Sequence, residues 1–416
     1  MTSSVDARGE GAAGGAQPRM RWVIAIILCA SIIAAFFDRI SIAVLFENKT
    51  FQSVMGTGDN RALLGLLMTV FVFAYGFSSV FLSFLGDIFG PRRCLAITTT
   101  LWGVFMTLMG TTSSYAMMLV YRVCLGLTEG PQFALANAII RRWFPNSERG
   151  GASALWLIGS PLGSAIGFPL TIFVVINYGW RASFFTLAAI NLVIILPLIL
   201  AVVRNQPASG SVPADVVPEE KRSYRADLAI IIHDWRYWML TIFNSAILVY
   251  LWGFNAWLPS YLQAARHFNP RELGFFSSLP FILTVAGEVG AGFLSDRIGR
   301  RAIIGFLGLL FAGILMYLVS TIANPYAAAV VMALSAGCWG MSVPMLFALT
   351  MQISPSSVTA TAVGAISGMG NLVGAVAPVL MGFLITRLGS FDAGLMVLVV
   401  TSILGSCAML PFVRRY

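Results

Sequence analysis

The chain has 416 residues, 58% hydrophobic and only 10% charged, with a mean hydropathy of +0.84, far from a soluble domain in which about a quarter of residues are charged. The net charge of +9 comes from 26 basic against 17 acidic residues; the basic ones sit mostly in short loops, so they report membrane orientation and give no nucleic-acid-binding patch. No catalytic triad, metal cluster or phosphate loop is present to support an enzyme.

Residues 1–20 are rich in Gly, Ala and Ser and read as a disordered cytoplasmic tail. The apolar run that follows is too long for a signal-peptide core. Apolar segments of spanning length, about 20 residues each, fall near 22–46, 62–85, 93–112, 115–140, 151–177 and 182–203. Six more fall near 236–262, 273–294, 301–321, 325–350, 357–386 and 393–413. Between the two sets, 204–235 is the one long polar stretch and reads as a cytoplasmic linker. The expected fold is therefore all-α, with twelve transmembrane helices in two pseudo-symmetric six-helix bundles, 21–203 and 236–416. Arg and Lys crowd the face holding both termini and the linker, which makes that face cytoplasmic by the positive-inside tendency. All five cysteines lie in or beside apolar runs without a Cys-x-x-Cys pair, so no disulfide framework, metal site or cofactor is expected.

Two spans carry charges. Arg122 and Glu129 lie seven residues apart in the fourth, on one helix face and about 10 Å apart along the axis. Asp38 and Arg39 follow Phe36-Phe37 in the first. A charge at the bilayer centre costs about 2.5–3.5 kcal/mol on insertion scales, so these four must face partners or a wet cavity. They sum to zero. Protonating a carboxylate releases an arginine, whose planar fork binds a carboxylate bidentately; the same pairs also serve as plain structural ion pairs between helices. Glu129 has Arg122 on its own helix and Asp38 has Arg39 beside it, and Glu129 is taken as the main proton carrier.

The loop after the second span reads Gly86-Asp87-Ile88-Phe89-Gly90-Pro91-Arg92-Arg93, and that after the eighth contains Gly292, Asp296, Arg297, Gly299, Arg300 and Arg301. One motif at equivalent places in two halves indicates an internal repeat, the design of alternating-access transporters. Asp87, Arg92, Arg93, Asp296, Arg297, Arg300 and Arg301 are expected to form a cytoplasmic latch across the halves.

The second loop carries the full Gly-x-x-x-Asp-Arg-x-Gly-Arg-Arg signature of the major facilitator superfamily. Asp38-Arg39, Arg122, Glu129, Asp87 to Arg93, Gly179-Trp180-Arg181, Trp257-Leu258-Pro259-x-Tyr261-Leu262 and Gly370-Asn371 with Pro378 together resemble its anion:cation symporter family, which includes bacterial sugar-acid permeases such as galactonate permeases. The resemblance implies coupling through the acids matching Asp38 and Glu129. It also implies anion binding, or pairing with those acids, by the arginines matching Arg39 and Arg122, and a hydrogen bond to substrate from Tyr75. Ser160 stands where a galactonate-type permease carries glutamine and Phe36 where many sugar-acid carriers carry tyrosine, so a polyhydroxylated substrate is less favoured. In the second half Asn255, Trp339, Ser342, Ser367 and Asn371 are able to read hydroxyls or a second carboxylate, or to act as interhelical glue. Glu288, two turns before Asp296, is read as a latch-side ion-pair partner.

The expected function is proton-coupled uptake of a small organic anion across a bacterial inner membrane by a monomer, with protons, the anion and the lipid bilayer as partners. A proton-coupled exporter or antiporter of a metabolite or drug is the alternative. A transporter-like ligand sensor, from a different class, would require an added cytoplasmic domain.

Overall fold

The structure, a computed structural model, describes residues 13–205, 231–354 and 359–414, so most of the expected tail and linker lie outside the described residues. Within them, twelve helices are long and apolar enough to cross a membrane: α1 (Arg19–Val44), α2 (Arg61–Phe81), α3 (Pro91–Thr111), α4 (Tyr115–Trp143), α5 (Glu148–Tyr178), α6 (Trp180–Val202), α7 (Trp235–Ala265), α8 (Pro270–Ile298), α9 (Arg301–Thr321), α10 (Pro325–Ile353), α11 (Thr361–Leu388) and α12 (Phe391–Val413). Side-chain caps start many of them: Asn60 caps α2, Ser114 α4, Asp234 α7, Asn324 α10 and Ser390 α12, while Asn269 and Glu272 form a capping box on α8. These residues satisfy N–H groups that a helix end leaves without partners.

Contacts between helix ends define two faces. On the terminal face, Arg21 at the start of α1 pairs with Glu148 at the start of α5 at 2.8 Å, and Trp235 at the start of α7 stacks on Phe412 at the end of α12. On the opposite face, Arg181 at the start of α6 donates to the carbonyls of Gly110 and Thr112 at and after the end of α3. Arg266, just past α7, donates to those of Val319 and Ile322 at the end of α9.

Helices α1–α6 pack mainly on one another, as do α7–α12, and α2–α11 and α5–α8 are the main seams between the groups. Among the described residues, three hydrogen bonds cross between the halves: Arg61 N–H to Thr386 Oγ1 at 3.1 Å, Val379 N–H to Thr69 Oγ1 at 3.2 Å, and Ser278 Oγ to the Ala165 carbonyl at 2.6 Å. All three lie in the part of the bundle away from the termini, where Phe46 also meets Trp257 and the Arg61 guanidinium lies on Phe391.

The terminal face differs from the expected latch. Arg93, Asp296, Arg297 and Arg300 are exposed, and Arg92 turns onto its own half through the Leu200 carbonyl at 2.6 Å. Arg301 reaches Gln352, also in its own half, at 3.2 Å. Asp87 lies on the short helix Leu85–Phe89, its side chain outside the described residues. Arginines at helix ends find carbonyls and amides of their own bundle, and no ion pair joins the halves here among the described residues. Glu288 is half-buried with no ion-pair partner among the described residues, so the expected latch-side pair is absent too.

Two departures from regular helix shape the interior. α4 is broken after Glu129 into Tyr115–Glu129 and Gln132–Trp143, where the uninterrupted apolar run predicts one helix. Pro131 has no N–H to give the Leu127 carbonyl and its ring crowds that turn, which bends the helix there. In α6, Ile190–Ile195 is a π turn. Glycines bring α2 and α4 together: a Cβ on Gly126 would run into the Phe71 carbonyl, and one on Gly130 into Ser78 and the Tyr75 carbonyl. Gly126→Ala is therefore expected to destabilise the fold by about 1–3 kcal/mol through overpacking. Gly150→Ala, where a Cβ meets nothing within 4 Å, should not lower stability. Thermal unfolding of the two purified variants tests this, and equal midpoints would contradict the close α2–α4 approach.

Candidate functional site

Asp38, Arg39, Arg122 and Glu129 are each at most 1% exposed. Neighbouring residues on a helix project about 100° apart, so Asp38 and Arg39 leave α1 toward different helices. Arg39 turns to α4, where its Nε lies 2.6 Å from Glu129 Oε2. Its Nη2 donates to Gln132 Oε1 at 3.5 Å, and Gln132 is itself held by its amide to the Ser31 carbonyl at 3.0 Å. Three rings wall the guanidinium, with its carbon 4.5 Å from the Phe36 centroid, 4.6 Å from Tyr75 and 5.8 Å from Phe133. Such faces favour a cation electrostatically without competing for its in-plane donors.

The pairing thus crosses helices, joining α1 to α4. Arg122 takes no carboxylate. Its Nε donates to the Leu67 carbonyl at 3.1 Å and its two Nη atoms to the Asp38 and Arg39 carbonyls at 3.3 and 3.4 Å, with the plane 4.4 Å over Phe71. It clamps α4 to the backbones of α1 and α2. Asp38 turns to α6, where Asn191 Nδ2 donates to its Oδ2 at 2.7 Å. Around these four charges, among the described residues, three buried acceptors are left without a partner, namely Asp38 Oδ1, Glu129 Oε1 and Asn191 Oδ1. A buried acceptor without a donor costs about 1–3 kcal/mol, so each is a place where a hydrogen-bond donor would be stabilising.

Tyr75 extends this cluster to the other half. Its ring stands edge-on to Trp252 of α7 at 6.1 Å, and Trp252 Nε1 donates to Asn371 Oδ1 of α11 at 3.0 Å. Asn371 spends its amide on the Ser367 carbonyl at 2.9 Å, and Trp339 its indole N–H on the Ile247 carbonyl at 2.9 Å. Ser342 donates to the Gly305 carbonyl at 3.2 Å. Asn255 binds the Leu251 carbonyl through its amide, leaving Oδ1 buried and unpartnered. Ser160 is half-buried on α5 beside Gly159, which packs on the Cys29 carbonyl of α1. The charged cluster therefore gathers Asp38, Arg39, Arg122, Glu129 and Tyr75. Trp339 and Ser342 join neighbouring helices of the second half, Asn255 bonds its own helix, and Asn371 joins the cluster through Trp252.

Sequence reasoning passed over Gln132, Asn191 and Trp252. The available signal was the same for all three: a residue with a hydrogen-bonding side chain inside an apolar span, away from the interfacial belt where such groups reach water.

Chemically, Arg39 is masked. Its strongest acceptor is an internal carboxylate, and at 1% exposure an outside anion reaches the guanidinium only if Glu129 lets go. Removing one partner of a buried ion pair costs about 3–5 kcal/mol because the other charge is stranded. Neutralisation of Glu129 together with arrival of a new anion avoids that cost.

The Major Facilitator Superfamily sequence profile matches residues 26–378. The probable sulfoacetate transporter of Cupriavidus necator is 30% identical over 91% of this chain and 90% of its own length. The probable L-galactonate transporter of Escherichia coli is 23% identical over 95% and 90%. The fold superposes on the crystal structure of a bacterial homologue of the human lysosomal transporter Spinster with a TM-score of 0.75 at 18% identity, covering 95% of this chain and 94% of that one. The two-bundle helical fold and the profile match over most of the chain agree: this protein is a multi-pass membrane transporter and belongs to the Major Facilitator Superfamily.

Proposed function

We propose that the protein imports a small organic anion together with protons by alternating access, across a bacterial inner membrane with both termini in the cytoplasm. The observation that carries this reading is the buried Arg39–Glu129 pair at 2.6 Å, an anion-binding group held by a titratable surrogate. When Glu129 takes up a proton from the outer side, Arg39 is freed and binds the substrate anion. When the loaded carrier opens inward and both leave, Glu129 returns to Arg39 and the empty carrier resets. Asp38 supplies a second buried carboxylate. Arg122 stays with the backbone, leaving Arg39 as the substrate anchor.

Relatives named for sulfoacetate, L-galactonate and hexuronate support an organic anion as cargo. Phe36 against the guanidinium and Ser160 on α5 provide fewer hydroxyl-reading groups than the tyrosine and glutamine of sugar-acid carriers, which favours a short anion with few hydroxyls; sulfoacetate is the first candidate. The four charges are closed to solvent, and the hydrogen bonds found between the halves lie outside the terminal face, which suits a cycle in which that face opens to release the cargo. In the opposite stage Asp87, Arg92, Arg93, Asp296, Arg297, Arg300 and Arg301 close the cytoplasmic face.

Two experiments test this. Arg39→Lys keeps the charge but loses the fork, so the affinity for sulfoacetate or another accepted anion should fall at least tenfold, or about 1.4 kcal/mol. Titration calorimetry against short sulfonates, dicarboxylates and sugar acids reads it, and undiminished affinity in Arg39→Lys would remove Arg39 as the anchor. Glu129→Gln imitates the protonated acid. In proteoliposomes it should exchange labelled for unlabelled anion yet fail to accumulate it under a pH gradient, because the empty carrier would have to return with Arg39 unpaired. Normal accumulation by Glu129→Gln, or wild-type accumulation driven by a sodium gradient and not by a pH gradient, would overturn proton coupling at this residue.

A further inference from the structure

We infer that Asn191 is the positioning residue of Asp38, and that the π turn of α6 exists to deliver it. This rests on the proposed role of Asp38 as a coupling carboxylate, but the geometry stands apart from it. Along α6 the residues Trp180, Phe184, Leu187, Asn191, Ile195 and Ile199 are buried, and from Leu187 onward they recur every four residues. A regular helix would carry such a stripe about 40° further round at each step. The wider turn over Ile190–Ile195, closed by the Leu196 N–H on the Asn191 carbonyl, takes up that drift and keeps Asn191 and the residues after it on the core-facing stripe. Pro197 follows directly and has no N–H to lose, so the ladder is widened where one of its bonds is already missing. Such bulges in α-helices are often found at functional sites.

Asn191 makes one side-chain hydrogen bond, to Asp38 Oδ2 at 2.7 Å, and leaves Oδ1 of both residues without partners. The charged groups facing Asp38 are Arg39 on α1 and Arg122 and Glu129 on α4; α6 presents Asn191 alone. Without this donor the carboxylate of Asp38 has Arg39 and Arg122 as its remaining attractions, and Arg39 is the guanidinium that Glu129 must hold. Asn191 therefore keeps the two acids on separate partners. It acts through Asp38 and touches neither Arg39 nor Glu129.

The test is an infrared pH titration of the purified full chain, in which the Asp38 bands are those lost in Asp38→Asn. Asn191→Leu should move their midpoint by about half a pH unit or more and change the frequency of the carboxylate stretch. In Asp38→Asn, adding Asn191→Leu should change no remaining carboxyl band. Asn191→Ser, a milder change too short to reach Asp38, should move the midpoint in the same sense and serves if the leucine variant does not fold; Asn191→Gln, which keeps an amide donor, should restore part of the shift. Asp38 bands unmoved in the variants that fold, or equal band changes with and without Asp38, overturn the inference. Wild-type accumulation by Asp38→Asn overturns the coupling role of Asp38 and leaves the positioning of its carboxylate to be decided by the bands.

Discussion

The Arg39–Glu129 ion pair, 2.6 Å long and closed to solvent, is the constraint around which the N-terminal half is arranged. Two charges taken out of water are held only by a partner of good geometry and by hydrogen bonds to what remains. Arg39 has Gln132 for a second donor edge and aromatic rings over its faces. Glu129 keeps one oxygen free. The pair is therefore asymmetric: the guanidinium has two acceptors and three ring faces around it, and one carboxylate oxygen has no partner.

The backbone prepares this arrangement in three places. The break at Pro131 falls directly after Glu129 and sets Gln132 on the next segment of α4. Gly126 and Gly130 let α2 approach α4 closely enough for the Tyr75 ring to lie on Arg39. The π turn in α6 brings Asn191 to Asp38. The first and third are departures from a regular helix and the second is a close helix approach that only glycine permits; each bears on where a polar group of the cluster sits. Trp252 then ties the cluster to Asn371 across the halves.

Much of the fold could be read from sequence because a lipid solvent leaves few choices: long apolar runs become helices, and charges inside them need partners. The four charged residues of the site were legible for that reason, as was the repeated loop motif. Their pairing was not. Spacing along one helix said that Arg122 and Glu129 share a face, but it said nothing of α1, whose Arg39 outcompetes Arg122 for Glu129. The repeated motif suggested a latch between the halves, whereas Arg92 and Arg301 bond within their own halves; a motif names residues without naming their partners. Asn191 and Gln132 are single amides within apolar runs, and only the helix breaks beside them, invisible to hydropathy, give them meaning.

We propose that Glu129 occupies Arg39 until protonation of its carboxylate releases the guanidinium. The most direct measurement is the number of protons taken up on anion binding, read by calorimetry in buffers of different ionisation enthalpy. The account predicts uptake of about one proton per bound anion by the wild type, at a pH where Glu129 starts ionised, and none linked to this site in Glu129→Gln. Wild-type binding with no proton uptake across the pH range, or the same uptake in Glu129→Gln, would contradict it.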